Sequence, residues 1–405
     1  MKILIADAIP EDKIEVLRQK GYECIVEPDL TAEQIPEKIS DVEILVVRST
    51  KVISEVFDKS DCLGLVVRSG AGTNTIDCQG AADSGIYVCN VPGTNSIAVA
   101  ELTMGLIISI DRHIPSATAD LRESKWNKKI YSDAEGLFGK TLGIVGLGEI
   151  GLAVAERARS FGITVLAKKA QRKPETESRI RSNGIKLVET LEELISESDV
   201  ISIHLPGGPE TKNFVNEGFL KLMKPNSILI NTSRGEIVDE TALIASINEK
   251  NIRAGLDVFR DEPTTSTGDF SSELAQHPNV VGTHHIGAST QQAQNATVEE
   301  TIRVIDAFRE GNVINCVNIA KERVGSSTLT IRHYDKVGVL AEVFAILRIE
   351  ELNVETMENK IFKGSKAALA IIDVSGNVSE NALTQLREID HIIHVQLSNR
   401  ELCLD

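Results

Sequence analysis

The stretch GIVGLGEIG, residues 143–151, decides the fold. Gly146, Gly148 and Gly151 stand in GxGxxG spacing, directly after a β-branched run that starts at 142 and before a helix predicted over 152–160. Such a loop lets the backbone approach a pyrophosphate whose charge then sits at a helix N-terminus, and Glu149 and Ile150 complete it. A glycine triplet alone is weak, but here strand, loop, helix and a next strand at 164–167 follow in order, which is the dinucleotide-binding context. Further strands at 200–204, 227–231, 254–258 and 279–283 extend the unit into a doubly wound parallel sheet of Rossmann type.

Upstream, short apolar runs at 3–7, 23–27, 44–48, 64–68 and 86–89 alternate with helical periodicity such as 11–20 and 31–39. They predict a second doubly wound sheet, flavodoxin-like, before the long helical stretch 96–112. After 290 a long helix is expected, ending in strand-like VINCVN (313–318). AKERVGSS (320–327) reads as a linker, and the tail reads strand (328–333), helix (338–348), strands (352–362 and 367–374), helix (379–388) and strand (392–397). That βαββαβ order predicts a small ferredoxin-like domain. The expected organisation is 1–97 with 290–317 as substrate domain, 98–289 as cofactor domain, 318–327 as linker and 328–405 as the tail domain.

With 405 residues, 42% of them apolar, the chain has room for two to three packed domains. The net charge of −16 repels phosphate backbones and anionic lipid heads, so neither nucleic acid nor a membrane surface is an expected partner. The most apolar run, 97–110, is too short to span a bilayer and carries Glu101, and the opening MKILIADAIPEDK reads as a strand and turn, so no secretion signal is expected. Cys24, Cys62, Cys78, Cys89, Cys316 and Cys403 are scattered, with no CxxC and no zinc spacing, so reduced thiols that serve packing in a cytoplasmic protein are expected, and no metal.

The position just past the 164–167 strand, where an acid would accept both ribose hydroxyls of NAD, carries Lys169, flanked by Lys168, Arg172 and Lys173. Lysine there can meet a 2′-phosphate, so the expected cofactor is NAD or NADP, with dual or NADP-leaning use. Hydride transfer at a 2-keto acid needs a cation to hold carboxylate and carbonyl, and a proton donor that works near neutral pH. Three loops at C-terminal strand ends offer these parts: Arg234 in NTSRGE, Glu262 in DVFRDEP and His285 in THHIGAST. Glu262 beside His285 would fix its tautomer and keep the imidazole protonated for ketone reduction. His284 reads as a rim residue.

GLGEIG, NTSRGEIVDE, GLDVFRDEP and HIGAST, in that order and spacing, resemble the D-2-hydroxyacid dehydrogenase family. The resemblance implies that Arg234, Glu262 and His285 are the catalytic set. It also places Asp257 near the nicotinamide and has His204, Pro206, Thr211 and Thr232 line the cofactor cleft. It further implies that the helix after 290 returns to the first unit.

Arg48 and Arg68 sit at two strand ends of the first sheet and suggest a second anionic group on the substrate, since guanidinium favours bidentate phosphate contacts. Ser69 and Gly70 would offer backbone N–H groups to the substrate carboxylate, with Asn95 nearby. Within the family the segments are most similar to the branch that oxidises 3-phospho-D-glycerate to 3-phosphohydroxypyruvate, the first step of L-serine biosynthesis. IRHYDKVGVLAEVF followed by ELNVE resembles the ACT domain of that branch, implying an amino-acid effector such as L-serine held by His333 and Asn353, with Asp335 where the pattern has Asn and Val337 where it has Pro. Alternatives are a reductase of glyoxylate, hydroxypyruvate or another 2-keto acid, and a dinucleotide-sensing protein without turnover. An exposed edge strand in the tail would support a homo-oligomer, dimer or tetramer.

Overall fold

The computed structural model describes residues 1–263, 267–320 and 325–399, so Cys403, the end of the tail and residues 321–324 of the expected linker lie outside the described residues. The chain divides into two compact units, Met1–Asn318 and Ile319–Asp405.

The first unit opens with β1 (Lys2–Ile5), β2 (Glu23–Val26), β3 (Ile44–Val47), β4 (Leu65–Arg68) and β5 (Tyr87–Cys89). Their near-continuous Ile, Leu and Val runs suit strands covered on both faces. They form a parallel sheet in the order β2-β1-β3-β4-β5, the flavodoxin-like arrangement. The second sheet holds β6 (Thr141–Val145), β7 (Thr164–Lys168), β8 (Lys186–Val188), β9 (Val200–Ile203), β10 (Ile228–Asn231), β11 (Arg253–Leu256) and β12 (Val280–Gly282). All are parallel, in the order β12-β11-β10-β9-β6-β7-β8. The order reverses between β6 and β9, which opens a crevice at their C-terminal ends.

Helix Ser96–Asp111 is the apolar run seen in the sequence, and it is buried because Ala100, Met104, Ile107 and Ile110 pack with Leu142, Ile144 and Val154 of the second sheet and its helix. Among the described residues no helix is long and apolar enough to cross a membrane. Helix Gln291–Arg309 leaves the second sheet and lays Val298, Ile302, Val304 and Ile305 into one core with Ile3, Ile5, Ile44 and Val67. Each such side chain contributes roughly 1.5–3 kcal/mol on burial. Gly64 leaves room for Phe308, whose ring a Cβ at that position would meet at 2.8 Å.

The tail unit carries β13 (Ser327–Tyr334), β14 (Asn353–Ile361), β15 (Ala367–Ser375) and β16 (Ile392–Asn399) in an antiparallel sheet ordered β14-β15-β13-β16. Helices Val339–Ile349 and Glu380–Glu388 cover one face, packing Val343, Leu347 and Leu386 on Leu329, Ile331 and Ile372. This is the ferredoxin-like βαββαβ fold.

Three local expectations need correction. Residues 31–39 form a single 3-10 turn, Ile35–Glu37, because Pro36 lacks the N–H a helix needs and the turn is pinned by burial of Ile35 and Ile39. VINCVN forms no strand but one antiparallel bridge, Cys316 to Cys89, since Asn315 at φ 56° turns the chain out of extended geometry. The helix predicted over 152–160 starts earlier, at Glu149.

Candidate active site

The loop of residues 146–151 closes the crevice at the reversal point. Gly146 has φ 97°, and a Cβ there would lie 2.3 Å from the His204 carbonyl oxygen, so this turn against β9 tolerates only glycine. At Gly151 a Cβ would meet the Gly146 carbonyl oxygen at 2.3 Å, so the helix can start this close to the strand only without a side chain. Gly148 differs: it caps helix Glu149–Ser160 and its missing side chain faces open space, which leaves the helix N-terminus free for an anion. Burial pushes the His204 imidazole down to about 4, so it is neutral beside this loop. Its Nε2 meets Ser202 Oγ at 2.8 Å while its Nδ1 has no partner among the described residues. An open helix N-terminus behind a glycine cradle, with an unpartnered imidazole nitrogen beside it, fits a dinucleotide diphosphate.

Arg234, Glu262 and His285 come together from three loops on the wall of one cleft, which also takes in Ile150, His204, Pro206, Thr232 and Asp257. Arg234 follows β10. The buried Asn231 clamps its turn, donating from Nδ2 to the Arg234 carbonyl at 2.8 Å and accepting from Ser233 at Oδ1. Its guanidinium crosses the cleft to the first sheet's loop, where a Cβ on Gly72 would come within 2.9 Å of Nη2. His285 Nδ1 meets Glu262 Oε1 at 2.5 Å, which leaves Nε2 for a substrate. The histidine backbone sits at φ 54°, a conformation unusual for a non-glycine residue and often found at functional sites.

Asp257 holds that conformation. Its buried carboxylate accepts from Thr283 Oγ1 at 2.6 Å, the Ile286 N–H at 2.9 Å and the Gly287 N–H at 2.8 Å, and its carbonyl accepts the His285 N–H at 2.7 Å. The residue lines the cleft, but its side chain is committed to the loop that carries His285.

On the opposite wall a cavity of about 960 Å³ is lined by Arg48, Arg68, Asn95, Glu262, His284 and His285 among others. Burial, then Arg234, then Arg48 lower the pKa of Arg68, so three guanidinium groups share one electrostatic neighbourhood. Asp7 makes no ion pair with Arg48, since its Oδ2 accepts the N–H groups of Arg48, Ser49 and Thr50, but its charge acts on Arg68 against the two arginines and offsets part of their repulsion. Arg68 Nε is buried and unpartnered among the described residues.

Ser69 and Gly70 are not the anion donors expected from sequence. The Ser69 N–H donates to Val47 O, one residue past the end of β4, and the Gly70 N–H donates to Arg68 O within the tight turn that follows, both at 2.7 Å. The next two N–H groups, of Ala71 and Gly72, have no acceptor among the described residues, and both residues line the same cleft. Asn90 fixes them: its Nδ2 donates to the Ala71 carbonyl at 2.6 Å, and the neighbouring Val91 N–H donates to Gly70 O at 2.9 Å. The glycine-rich GAG of 70–72 was the available signal for this loop, whereas nothing local marked Asn90. Asn90→Ala is expected to raise KM for a 2-hydroxy or 2-keto acid about tenfold, one hydrogen bond's worth, with the NADH dissociation constant unchanged. Steady-state kinetics beside cofactor titration checks this, and parallel loss of cofactor affinity and Tm would make Asn90 merely structural.

Comparisons with known proteins give the family of the chain. A profile of the D-isomer specific 2-hydroxyacid dehydrogenase NAD binding domain matches residues 104–287, from helix Ser96–Asp111 through the His285 loop. The D-3-phosphoglycerate dehydrogenase of Escherichia coli (strain K12) is 32% identical over 407 residues, covering 98% of this chain and 97% of the relative. This chain belongs to the D-isomer specific 2-hydroxyacid dehydrogenase family. A D-3-phosphoglycerate dehydrogenase of Methanocaldococcus jannaschii is 40% identical over 331 residues, 80% of this chain, which spans only 61% of that relative's length. A glyoxylate reductase of Thermococcus litoralis is 39% identical over 323 residues, 77% of this chain and 95% of the relative. Among solved structures, a Thermus thermophilus protein superposes with a TM-score of 0.67 at 30% identity, covering 78% of this chain and all of that one.

Against this family background, other predicted residues fall less simply. Thr211 turns its hydroxyl onto Pro206 O at 2.7 Å and shapes the turn instead of lining the cleft. Lys169 stands exposed beyond β7 and pairs with Glu189 at 3.0 Å, while Arg172 folds back onto the carbonyls of Lys168 and Ala170. The effector residues are not brought together. His333 is buried with Nδ1 on Tyr334 O at 2.8 Å and Nε2 on Asn359 Oδ1 at 3.2 Å, and Asp335 is exposed. Asn353 aligns with Ser375, seven residues along β15 from Ala368, the partner of His333, so the two lie about 23 Å apart at 3.3 Å per residue. One small molecule cannot touch both within one chain.

Proposed function

We propose that the protein is a nicotinamide-dependent oxidoreductase acting at C2 of a phosphorylated 2-hydroxy acid, 3-phospho-D-glycerate, giving 3-phosphohydroxypyruvate. The observation that carries the substrate is the cluster of Arg48 and Arg68 in one cavity and Arg234 in the cleft that shares Asn95, Glu262 and His285 with it, with no carboxylate salt bridge to any of them among the described residues. Three cations held this close repel one another, and Arg68 is partly desolvated, so the cluster is costly until two anionic groups enter. Gly146, Gly148, Gly151 and His204 would hold the dinucleotide, which when bound supplies the hydride acceptor. Arg234 with the Ala71 and Gly72 N–H groups orients the carboxylate and polarises the C2 oxygen. His285 Nε2 takes the hydroxyl proton, and Glu262 on Nδ1 stabilises the imidazolium that forms. Arg48 and Arg68 receive the phosphate.

Kinetics with phosphohydroxypyruvate, hydroxypyruvate, glyoxylate and 2-oxoglutarate, each with NADH and NADPH, tests the reading. Phosphohydroxypyruvate should be preferred by at least tenfold in kcat/KM. Arg48→Ala or Arg68→Ala should remove that preference, raising KM about 100-fold for the phosphorylated acid and less than threefold for hydroxypyruvate, since a charged hydrogen bond is worth roughly 1.5–3 kcal/mol. Equal use of glyoxylate with no effect of either substitution would favour the reductase reading, in keeping with the Thermococcus litoralis relative. The same panel decides the cofactor. Lys168 and Lys173 have no ion-pair partner among the described residues, and with Lys169 they support use of NADPH, while Glu189 beside Lys169 opposes it.

A further inference from the structure

Cys89 closes β5, and Cys316 lies in the segment that follows helix Gln291–Arg309 back to the first sheet. The Asn90 N–H donates to Asn315 O at 3.1 Å and the Val317 N–H to Val88 O at 2.9 Å. These bonds bracket the two cysteines as an antiparallel pair that is itself not hydrogen-bonded. In that class the Cα atoms approach to about 4.5 Å and the side chains face each other closely. Disulfides span Cα separations of about 4.4–6.8 Å, so the backbone already meets the requirement. The Cys316 thiol donates to Asn318 Oδ1 at 3.2 Å, a weak bond that it can give up, and Cys89 feels Cys316 as its nearest titratable neighbour. The register is locked by Asn318, whose Oδ1 accepts the Val88 N–H at 2.9 Å and whose Nδ2 donates to Ile86 O at 2.8 Å.

We propose that Cys89 and Cys316 are a reversible disulfide site, a covalent clasp between β5 and the returning segment that closes under a two-electron oxidant such as glutathione disulfide. Cys316 is partly exposed and Cys89 buried, which sets the order of events. The Cys316 thiolate attacks glutathione disulfide, forming a mixed disulfide and releasing one glutathione. Cys89 sulfur then attacks the Cys316 sulfur, the second glutathione leaves as thiolate, and the protons lost by the two cysteines are taken up by the two released glutathiones. Two protein thiols are oxidised to one disulfide, and one glutathione disulfide is reduced to two glutathiones. Burial, the main cause that holds the Cys89 thiol above its ordinary range, persists in the mixed disulfide, so closure quickens as pH rises. Cys78 is half-buried close to Cys316 and is the competing thiol.

The full-length protein is incubated with glutathione disulfide, alkylated, and mapped by peptide mass. The expected result is a Cys89–Cys316 linked peptide, with six free thiols falling to four. Closing a loop of about 230 residues should raise Tm by roughly 5–10 °C, reversed by dithiothreitol. Cys316→Ser should lose both the linked peptide and the Tm rise, whereas Cys62→Ser should keep both. Six thiols remaining free, a linkage through Cys78 or Cys62 in its place, or a Tm rise that survives in Cys316→Ser would each overturn the proposal.

Discussion

His285→Asn is expected to lower kcat about 10³-fold while leaving the NADH dissociation constant and Tm nearly unchanged. Asparagine is the better substitution because residue 285 sits at φ 54°, where asparagine is at ease and alanine is strained, so the variant removes the imidazole without disturbing the loop. The backbone supports survive, since the N–H of residue 285 still reaches Asp257 O and the Asp257 carboxylate still holds the Ile286 and Gly287 N–H groups. A positioned acid–base group contributes about 10²–10⁴-fold, which sets the size of the loss. Glu262→Gln should cost about tenfold, because the contact to Nδ1 is kept while the charge facing the imidazolium is lost. Stopped-flow hydride transfer separates this from product release. If His285→Asn keeps more than a tenth of wild-type turnover, the proton is carried elsewhere and the assignment fails.

The glycine loop offers a second large effect with an internal contrast. Gly146→Ala puts a methyl 2.3 Å from the His204 carbonyl at φ 97°, so either β9 must move or the loop must unwind. Its Tm should fall by at least about 5 °C, a cost of a few kcal/mol at roughly 2–4 °C each. Gly148→Ala meets nothing within 4 Å and has φ −83°, so its Tm should stay within a degree or two. Its methyl instead occupies the space in front of the helix N-terminus, where a diphosphate would approach, and the NADH dissociation constant should rise about 100-fold. Differential scanning fluorimetry with fluorescence titration reads both. Equal behaviour of the two variants would mean that Gly148 does not face the cofactor.

Much of the fold was legible because its signals are local. Every strand of the first sheet sits within a residue or two of an apolar run, and the glycine loop marks the start of the second sheet. The short β8, with two of three residues exposed, has too little apolar pattern to be seen, and helix Ile114–Arg122 buries no residue at all. The candidate site was legible where chemistry needs a rare side chain, in that Arg234, Glu262 and His285, singled out in three separate loops, do line one cleft. It was illegible where backbone atoms do the work: which N–H groups are free at 69–72 depends on how far β4 pairs with β3. Asn90 is silent for the same reason, since its partner is a carbonyl of a loop 19 residues away. At His333 the position in the pattern was visible, but its bonds to Tyr334 O and Asn359 Oδ1 were not.

The return of helix Gln291–Arg309 to the first sheet sets a timetable for biosynthesis. The core formed by β1, β3 and β4 is capped by Val298, Ile302 and Ile305, residues that leave the ribosome some 200 positions after β5. At about 5–20 residues per second that interval is roughly 10–40 s. Throughout it the sheet face that Ile14 and Leu17 of helix Glu11–Gln19 cover only in part lacks the rest of its cover while a complete second sheet is being synthesised. During translation the amino-terminal lobe is thus the part most in need of a chaperone, even though it is made first.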